Sequence, residues 1–450
     1  MSGRIAVIGG GLAGITAALR CADAGAEVTL LEGRPRLGGL THSFLRGDLQ
    51  IDNGQHVFLR CCSSYRRLLE RLGVTGQVAL QARLDVPVRT PHTTARLRRN
   101  TLPAPLHLGG ALLRYSVLSP ADRLRAVRGA LALRRVDPTN PDTDTRSFGA
   151  WLVEHGQNPQ ITAALWDLVG IATLNARAAD ASLALAATVM QQGLLTDSAA
   201  GDIGWPLVPL QQLHGDAARR CLAAVGATVH TGAKVASLHR CGERWMTRQV
   251  DGSELTVDKV ILAVPPTVAD ALAPAGCIAA PPGWAQRLGS SPIVNVHIVF
   301  DRPVLVEPFI AGVHSPVQWV FDRTASAGLT SGQYLAVSLS AAHETIDLTT
   351  EQVRHRILPA LTDLLPFAEH ARVLDFFVTR QRHATFNPAP GTALLRPPTV
   401  TAAPGLVLAG AYTATGWPAT MESAVRSGDA AADVLLAART PEAAEGVRVA

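Results

Sequence analysis

The sequence predicts an α/β chain, with a parallel sheet laid down by three separated stretches and an α+β region inserted between them. Three observations carry this. The apolar run Ile5-Ala6-Val7-Ile8 leads straight into Gly9-Gly10-Gly11-Leu12-Ala13-Gly14, and a second apolar run, residues 28–31, ends on Glu32. Much later, residues 259–264 and 405–410 are again short strands of buried type, the second closing on a glycine loop and a helix. Between these, residues 293–300, 317–321 and 333–339 alternate apolar and polar side chains as antiparallel strands do.

The opening segment reads as strand, tight turn, a helix over residues 15–24 and a second parallel strand. Gly9 permits the turn, Gly11 lets the backbone approach a pyrophosphate, and Gly14 lets helix and strand pack closely. Leu12 and Ala13 lie in the turn that opens the helix, where free N–H groups and the helix dipole favour a phosphate. Glu32, at the carboxyl end of the second strand, suits the ribose hydroxyls of an adenosine. A bare Gly-x-Gly-x-x-Gly is weak evidence, but strand, helix, second strand and terminal acid together predict a Rossmann-like dinucleotide site. Arg36-Leu37-Gly38-Gly39 follows at once. Two glycines behind a basic residue suit a second phosphate-side loop, which NAD enzymes do not need and FAD enzymes carry. The dinucleotide is therefore read as FAD.

Asp52-Asn53-Gly54-Gln55-His56 packs an acid, two amides, a glycine and a histidine beside an apolar strand. Loops of that composition at strand edges aim polar groups at a ligand. For His56 alone, a satisfied structural histidine is an equally good reading.

Residues 81–200 read as helical. Ser119-Pro120-Ala121-Asp122 is a helix start, with serine as N-cap and proline in the first turn. The helix carries Leu124, Val127, Leu131 and Leu133 on one side, and Arg123, Arg125, Arg128, Arg134 and Arg135 supply its charge. A surface helix with a solvated arginine face accounts for this pattern, and so does a helix lying on a membrane. Helical stretches at 148–155 and 161–174 follow, and then the long apolar run 183–190. They are candidates for the wall of a hydrophobic tunnel, though core packing has the same pattern.

The chain then returns to the nucleotide unit with a helix at 213–225, strands at 228–230 and 234–238, and a hairpin across Asp251-Gly252. A helix at 350–365 and a strand at 373–378 complete the second unit. The resulting division is an FAD-binding domain from residues 1–80, 205–285 and 400–440, and a substrate domain from 81–204 and 286–399. The alanine-rich last dozen residues are expected to fray.

Net charge is +5, almost wholly from arginine, while aromatic residues are only 5%. A nucleic-acid binder concentrates charge in dense patches with interleaved aromatics, so no nucleic-acid partner is expected. Six scattered cysteines without a Cys-x-x-Cys fit reduced thiols in the cytoplasm, and no metal site is predicted. The glycine turn interrupts what would be the apolar core of a signal peptide. No apolar run reaches the ~20 residues of a membrane span, so any membrane contact is peripheral, at the inner face.

Residues 9–14, Glu32, residues 36–39 and residues 52–56 together resemble the squalene-associated FAD-dependent desaturases. These are the hydroxysqualene dehydroxylases of bacterial squalene and hopanoid biosynthesis, within the amine oxidase and phytoene desaturase flavoproteins. The resemblance implies that fold, with Gly54, Gln55 and His56 beside the flavin and Val235 contacting the adenine through its backbone. It implies a closing cofactor motif with Gly410, Trp417, Thr420 and Met421, on a helix expected to start near Pro418. Two positions depart from the superfamily pattern: Leu40, where arginine usually follows the glycine pair, and Ala411, where an acid usually follows Gly410. The implied reaction is reductive dehydroxylation of hydroxysqualene to squalene and water. The implied partners are a C30 isoprenoid and the upstream prenyl synthases that hand it over. His56, or a water held by Asp52 and Gln55, is the expected proton source. A carotenoid-type desaturase is the main alternative. An amine oxidase fits less well, because the only lysines are Lys234 and Lys259, both in the nucleotide unit. A flavin-less lipid escort of the same fold is opposed by the intact glycines and Glu32.

Overall fold

A computed structural model describes residues 3–437, so the C-terminal dozen lies outside the described residues. Its centre is a five-stranded parallel sheet in the order Thr228–Thr231, Glu27–Glu32, Arg4–Ile8, Lys259–Leu262, Leu406–Leu408. The strand period of two explains why these runs are apolar throughout. Ile5, Val7, Leu30 and Ile261 pack under helix Leu12–Asp23, while Ala6, Ile8, Leu31 and Leu262 join the core on the opposite face. Helix Met421–Ala437 lies along Leu12–Asp23. Gly428 permits the contact, because a Cβ there would sit 2.3 Å from the Ala13 carbonyl oxygen.

The second unit is a seven-stranded sheet in the order Val373–Thr385, Ser291–Phe300, Gln333–Leu339, Trp319–Asp322, Phe309–Gly312, Asp85–Arg89, Thr94–Arg98. Its pairs are antiparallel except where Phe309–Gly312 meets Asp85–Arg89. Helix Thr350–Leu364 covers one face with Val353, Ile357, Leu361 and Leu364, spaced about one turn apart and all buried. Its start is fixed by a reciprocal cap between Thr349 and Gln352.

Two expectations need correcting. Residues 81–200 are not wholly helical, since a hairpin at 85–98 extends the second sheet. Ala95 and Leu97 face the core while Arg96 and Arg98 face Asp85, and two apolar residues are too short an alternation to read as a strand. The strand expected at 373–378 runs on to Thr385. The stretch 161–174 is helical as expected, with a local widening near its start. Pro159–Ile161 leads into a wide π-type turn at Thr162–Trp166, and Asp167–Leu174 ends on Asn175 in the left-handed conformation. The other expected helices and strands form within a few residues of their expected bounds.

Candidate active site

The glycine turn is built as its sequence requires. Gly9 has φ +109°, and a Cβ there would lie 2.2 Å from the Ala263 carbonyl oxygen, so a side chain is excluded. Helix Leu12–Asp23 starts behind Gly11 with no side-chain cap, which leaves its first N–H groups available to an anion. The Glu32 carboxylate closes the second strand, accepting from Gly10 N–H at 2.6 Å and Arg34 N–H at 2.7 Å. The second loop folds onto the first. Gly38 N–H donates to the Gly10 carbonyl at 2.8 Å, and a Cβ on Gly39 would come within 2.9 Å of the Gly11 Cα. Arg36 has a buried Nε with no partner among the described residues. Desolvation, then the neighbouring Arg34, push its pKa down, against the pull of Glu32. Leu40 is exposed and contributes only backbone here. Val235 starts its strand beside Lys234, which packs on Gly33 at the end of the second strand. Val235 is thus brought to the Glu32 corner.

The loop at 52–56 lies at the junction of the two sheets. Asp52 is buried and held by three donors: Ser43 Oγ at 2.6 Å, Leu210 N–H at 2.9 Å and Arg323 Nη2 at 2.8 Å. Arg323 is also buried and donates its other Nη to the Pro206 carbonyl at 2.8 Å. Asp52, expected to hold a catalytic water, thus has a structural task as well: three of its acceptor sites are taken, and the loop is fastened by a buried ion pair. The Asn53 carbonyl receives long 3.5 Å contacts from Asn295 Nδ2 and Thr379 Oγ1 on the second sheet. Gln55 Nε2 and Asn295 Oδ1 are buried without partners among the described residues, as groups awaiting a ligand are. His56 Nδ1 lies 3.2 Å from the Gly54 carbonyl. The ring is densely surrounded although part of its surface stays accessible, and desolvation lowers its pKa. It rests neutral, with Nδ1–H toward Gly54 and Nε2 free to accept. His42, beside Arg36, is likewise pushed down by desolvation, to about 4.

The third arm is the C-terminal loop. Gly410 has φ +149°, and a Cβ would lie 2.4 Å from the Tyr412 ring. Thr420 Oγ1 accepts from Ser423 N–H at 3.2 Å, so Thr420 caps the helix that begins at Met421, three residues later than expected. Trp417 stacks under the Arg426 guanidinium at 4.8 Å. Arg396 is buried and grips the loop, donating to the carbonyls of Thr413 at 2.6 Å and of Ala411 and Tyr412 at 3.3 Å. It also reaches Thr415 Oγ1 at 3.1 Å. Desolvation lowers its pKa to about 10. Ala411 thus contributes its carbonyl where an acid is usual.

Sequence reasoning missed Arg323, Asn295 and Arg396. Arg323 and Asn295 are 271 and 242 residues from their partners in the loop they hold, and none of the three stands in a recognisable motif. The two lysines are engaged elsewhere, since Lys259 Nζ donates to Leu435 and Lys234 packs on Gly33. Among the described residues, no cluster of His, Cys, Asp or Glu could hold a metal ion. The parts present fit a flavin dinucleotide: two opposed glycine loops, an uncapped helix start, an acid at the second strand and unpartnered buried donors.

Comparison with known proteins agrees. The family model for flavin containing amine oxidoreductases matches residues 12–436. The hydroxysqualene dehydroxylase of Rhodopseudomonas palustris is 30% identical over 97% of this chain and 99% of its own length. The zeta-carotene desaturase of Synechocystis is 25% identical, covering 96% of this chain and 97% of that protein. A wild-type putrescine oxidase bound to putrescine superposes with a TM-score of 0.73 over 97% of this chain and 99% of its own, at 20% identity, and so speaks for the fold alone.

Proposed function

Because the chain belongs to the flavin containing amine oxidoreductases, in the branch that holds the hydroxysqualene dehydroxylases, we propose that this FAD-dependent oxidoreductase reduces hydroxysqualene to squalene and water. The full-length identity to the Rhodopseudomonas protein carries the reading. The role belongs to bacterial squalene and hopanoid synthesis. The protein works in the cytoplasm at the inner membrane face and takes its C30 substrate from upstream prenyl synthases.

The chemistry suits the site. The substrate hydroxyl is allylic, so protonation and loss of water leave a delocalised cation. Reduced FAD, held by this chain, would supply the hydride for that cation. The chain's own residues do the rest. The loops at 9–14 and 38–39 and the start of helix Leu12–Asp23 bind the pyrophosphate, Glu32 the ribose, and Val235 the adenine edge. Gly410, Trp417, Thr420 and Met421 bring the second helix start to the flavin end, where its N–H groups favour negative charge. Asp52 and Arg323 lock the loop carrying Gln55 and His56 between the sheets. Gln55 orients. His56 delivers the proton to the leaving hydroxyl, and the desolvation that lowers its pKa makes its protonated form the stronger acid.

A carotenoid-type desaturase is the second reading, favoured by the full-length likeness to the Synechocystis protein. Incubating reduced enzyme with hydroxysqualene and oxidised enzyme with phytoene or zeta-carotene separates the two. Squalene from the first incubation alone supports dehydroxylation. Newly conjugated polyene from the second alone replaces it with desaturation.

A further inference from the structure

Helix Pro120–Leu133 packs with its small-residue side inward. Ala126, Gly129 and Leu133 are buried, and Gly129 lies so close to Gln157 that a Cβ would come within 2.6 Å of it. Leu124 and Leu131, two turns apart, form a stripe that points outward and are 55% and 45% exposed, while Val127 between them is partly buried against the core. An ordinary amphipathic surface helix does the reverse. The stripe continues onto helix Gly109–Leu113 and the turn before it, where Leu113 is 70% and Leu106 61% exposed. Between the two helices lies a groove of about 270 Å³ lined by Leu112, Leu113, Pro120, Arg123, Leu124 and Val127. Arg123 makes this groove a built feature, donating to the Leu113 carbonyl at 2.6 Å and the Leu118 carbonyl at 2.9 Å.

The charge around the stripe has one sign. Between Asp85 and Asp137 the only acidic residue is Asp122, which is buried and paired with Arg125. Arg114 adjoins Leu113, and Arg128 and Arg135 follow Leu124 and Leu131 by one turn, on the leucine side. Among the described residues, none of these three has a carboxylate within 4 Å. Long arginine stems can lie along apolar surface while their heads reach phosphate. We propose that this face docks on an anionic lipid bilayer, its leucines in the acyl boundary and its arginines on the headgroups. No helix among the described residues is long and apolar enough to cross a membrane, so the contact is one-sided. The assignment deepens the membrane placement proposed above by naming the surface that makes it.

The test is flotation of the FAD-loaded protein with vesicles of phosphatidylcholine, with and without phosphatidylglycerol. The wild type is expected to float with the anionic vesicles, weakly with the neutral ones, and less in high salt. Leu113→Asp with Leu124→Asp, and separately Arg114→Glu with Arg128→Glu, should each lower partitioning by about tenfold or more. All four side chains are exposed or at the surface, so unchanged melting and flavin absorbance establish that each variant is folded. Vesicle binding equal to wild type in both double variants overturns the proposal, as does a wild type that floats with neither vesicle. A concentration-dependent dimer that the leucine variant dissolves also overturns it, assigning the face to a second copy of the chain. Binding is read without any isoprenoid, so it can fail while dehydroxylation in detergent micelles stands, and the reverse.

Discussion

Asp52 and His56 stand four residues apart in one loop, yet their surroundings differ sharply. Asp52 is buried with Arg323, a partner 271 residues away in sequence. Breaking such a pair strands a buried charge, so Asp52→Ala should cost about 3–5 kcal/mol and lower the melting temperature sharply. An unchanged melting temperature would contradict the locking role. His56 is the group proposed to move the proton. His56→Ala should lower single-turnover squalene formation by about 10²–10⁴-fold while leaving flavin absorbance in place. Because desolvation holds its pKa below the usual 6.5, the wild-type rate should climb as pH falls through 6.5 and level off only lower. A rate independent of pH in that range would move the proton source elsewhere. The loop is the stretch proposed to line the site, and its polar, glycine-containing composition was legible. The clamp was not, because an arginine's partner is set by tertiary packing and leaves no local pattern.

At the scale of elements, the most legible parts were those whose geometry permits only one residue type. Gly9 and Gly14 leave no room for a Cβ, and Glu32 must end its strand to reach the turn. The legible strands were the doubly buried parallel ones, whose apolar runs are unbroken. The hairpin at 85–98 escaped notice because Pro87 interrupts its first strand and the second offers only Ala95 and Leu97 as an alternation. Helix packing carries a further expectation. The two helix starts proposed to face the cofactor are spaced by the contact between Leu12–Asp23 and Met421–Ala437, which Gly428 makes close. Gly428→Leu would overpack it, at a cost of about 1–3 kcal/mol, and should release FAD on gel filtration more readily than from wild type. Full flavin retention with unchanged stability would show that this spacing does not matter.

Over the whole molecule, two sheets enclose a set of histidines kept neutral by burial. His214 is held to Tyr65 at 2.8 Å and His297 to Tyr334 at 2.6 Å, and desolvation pushes each to about 3. The unfolded chain binds these protons near pH 6.5 and the folded one does not, so stability must fall as pH drops below 6.5. By pH 5 the loss is ~2 kcal/mol for each histidine. Thermal unfolding followed from pH 7 to 5 should show a steadily falling midpoint, and a flat one would contradict the buried neutral state. The same enclosure joins a dinucleotide sheet to a second sheet across the Asp52 loop, and this juxtaposition is what the proposed reaction requires. The most direct test is anaerobic. Dithionite-reduced enzyme, freed of excess reductant, is mixed with hydroxysqualene while flavin absorbance and products are followed. The account predicts return of the oxidised flavin spectrum with one squalene formed for each flavin reoxidised. Flavin that stays reduced, with the alcohol unchanged, would contradict it.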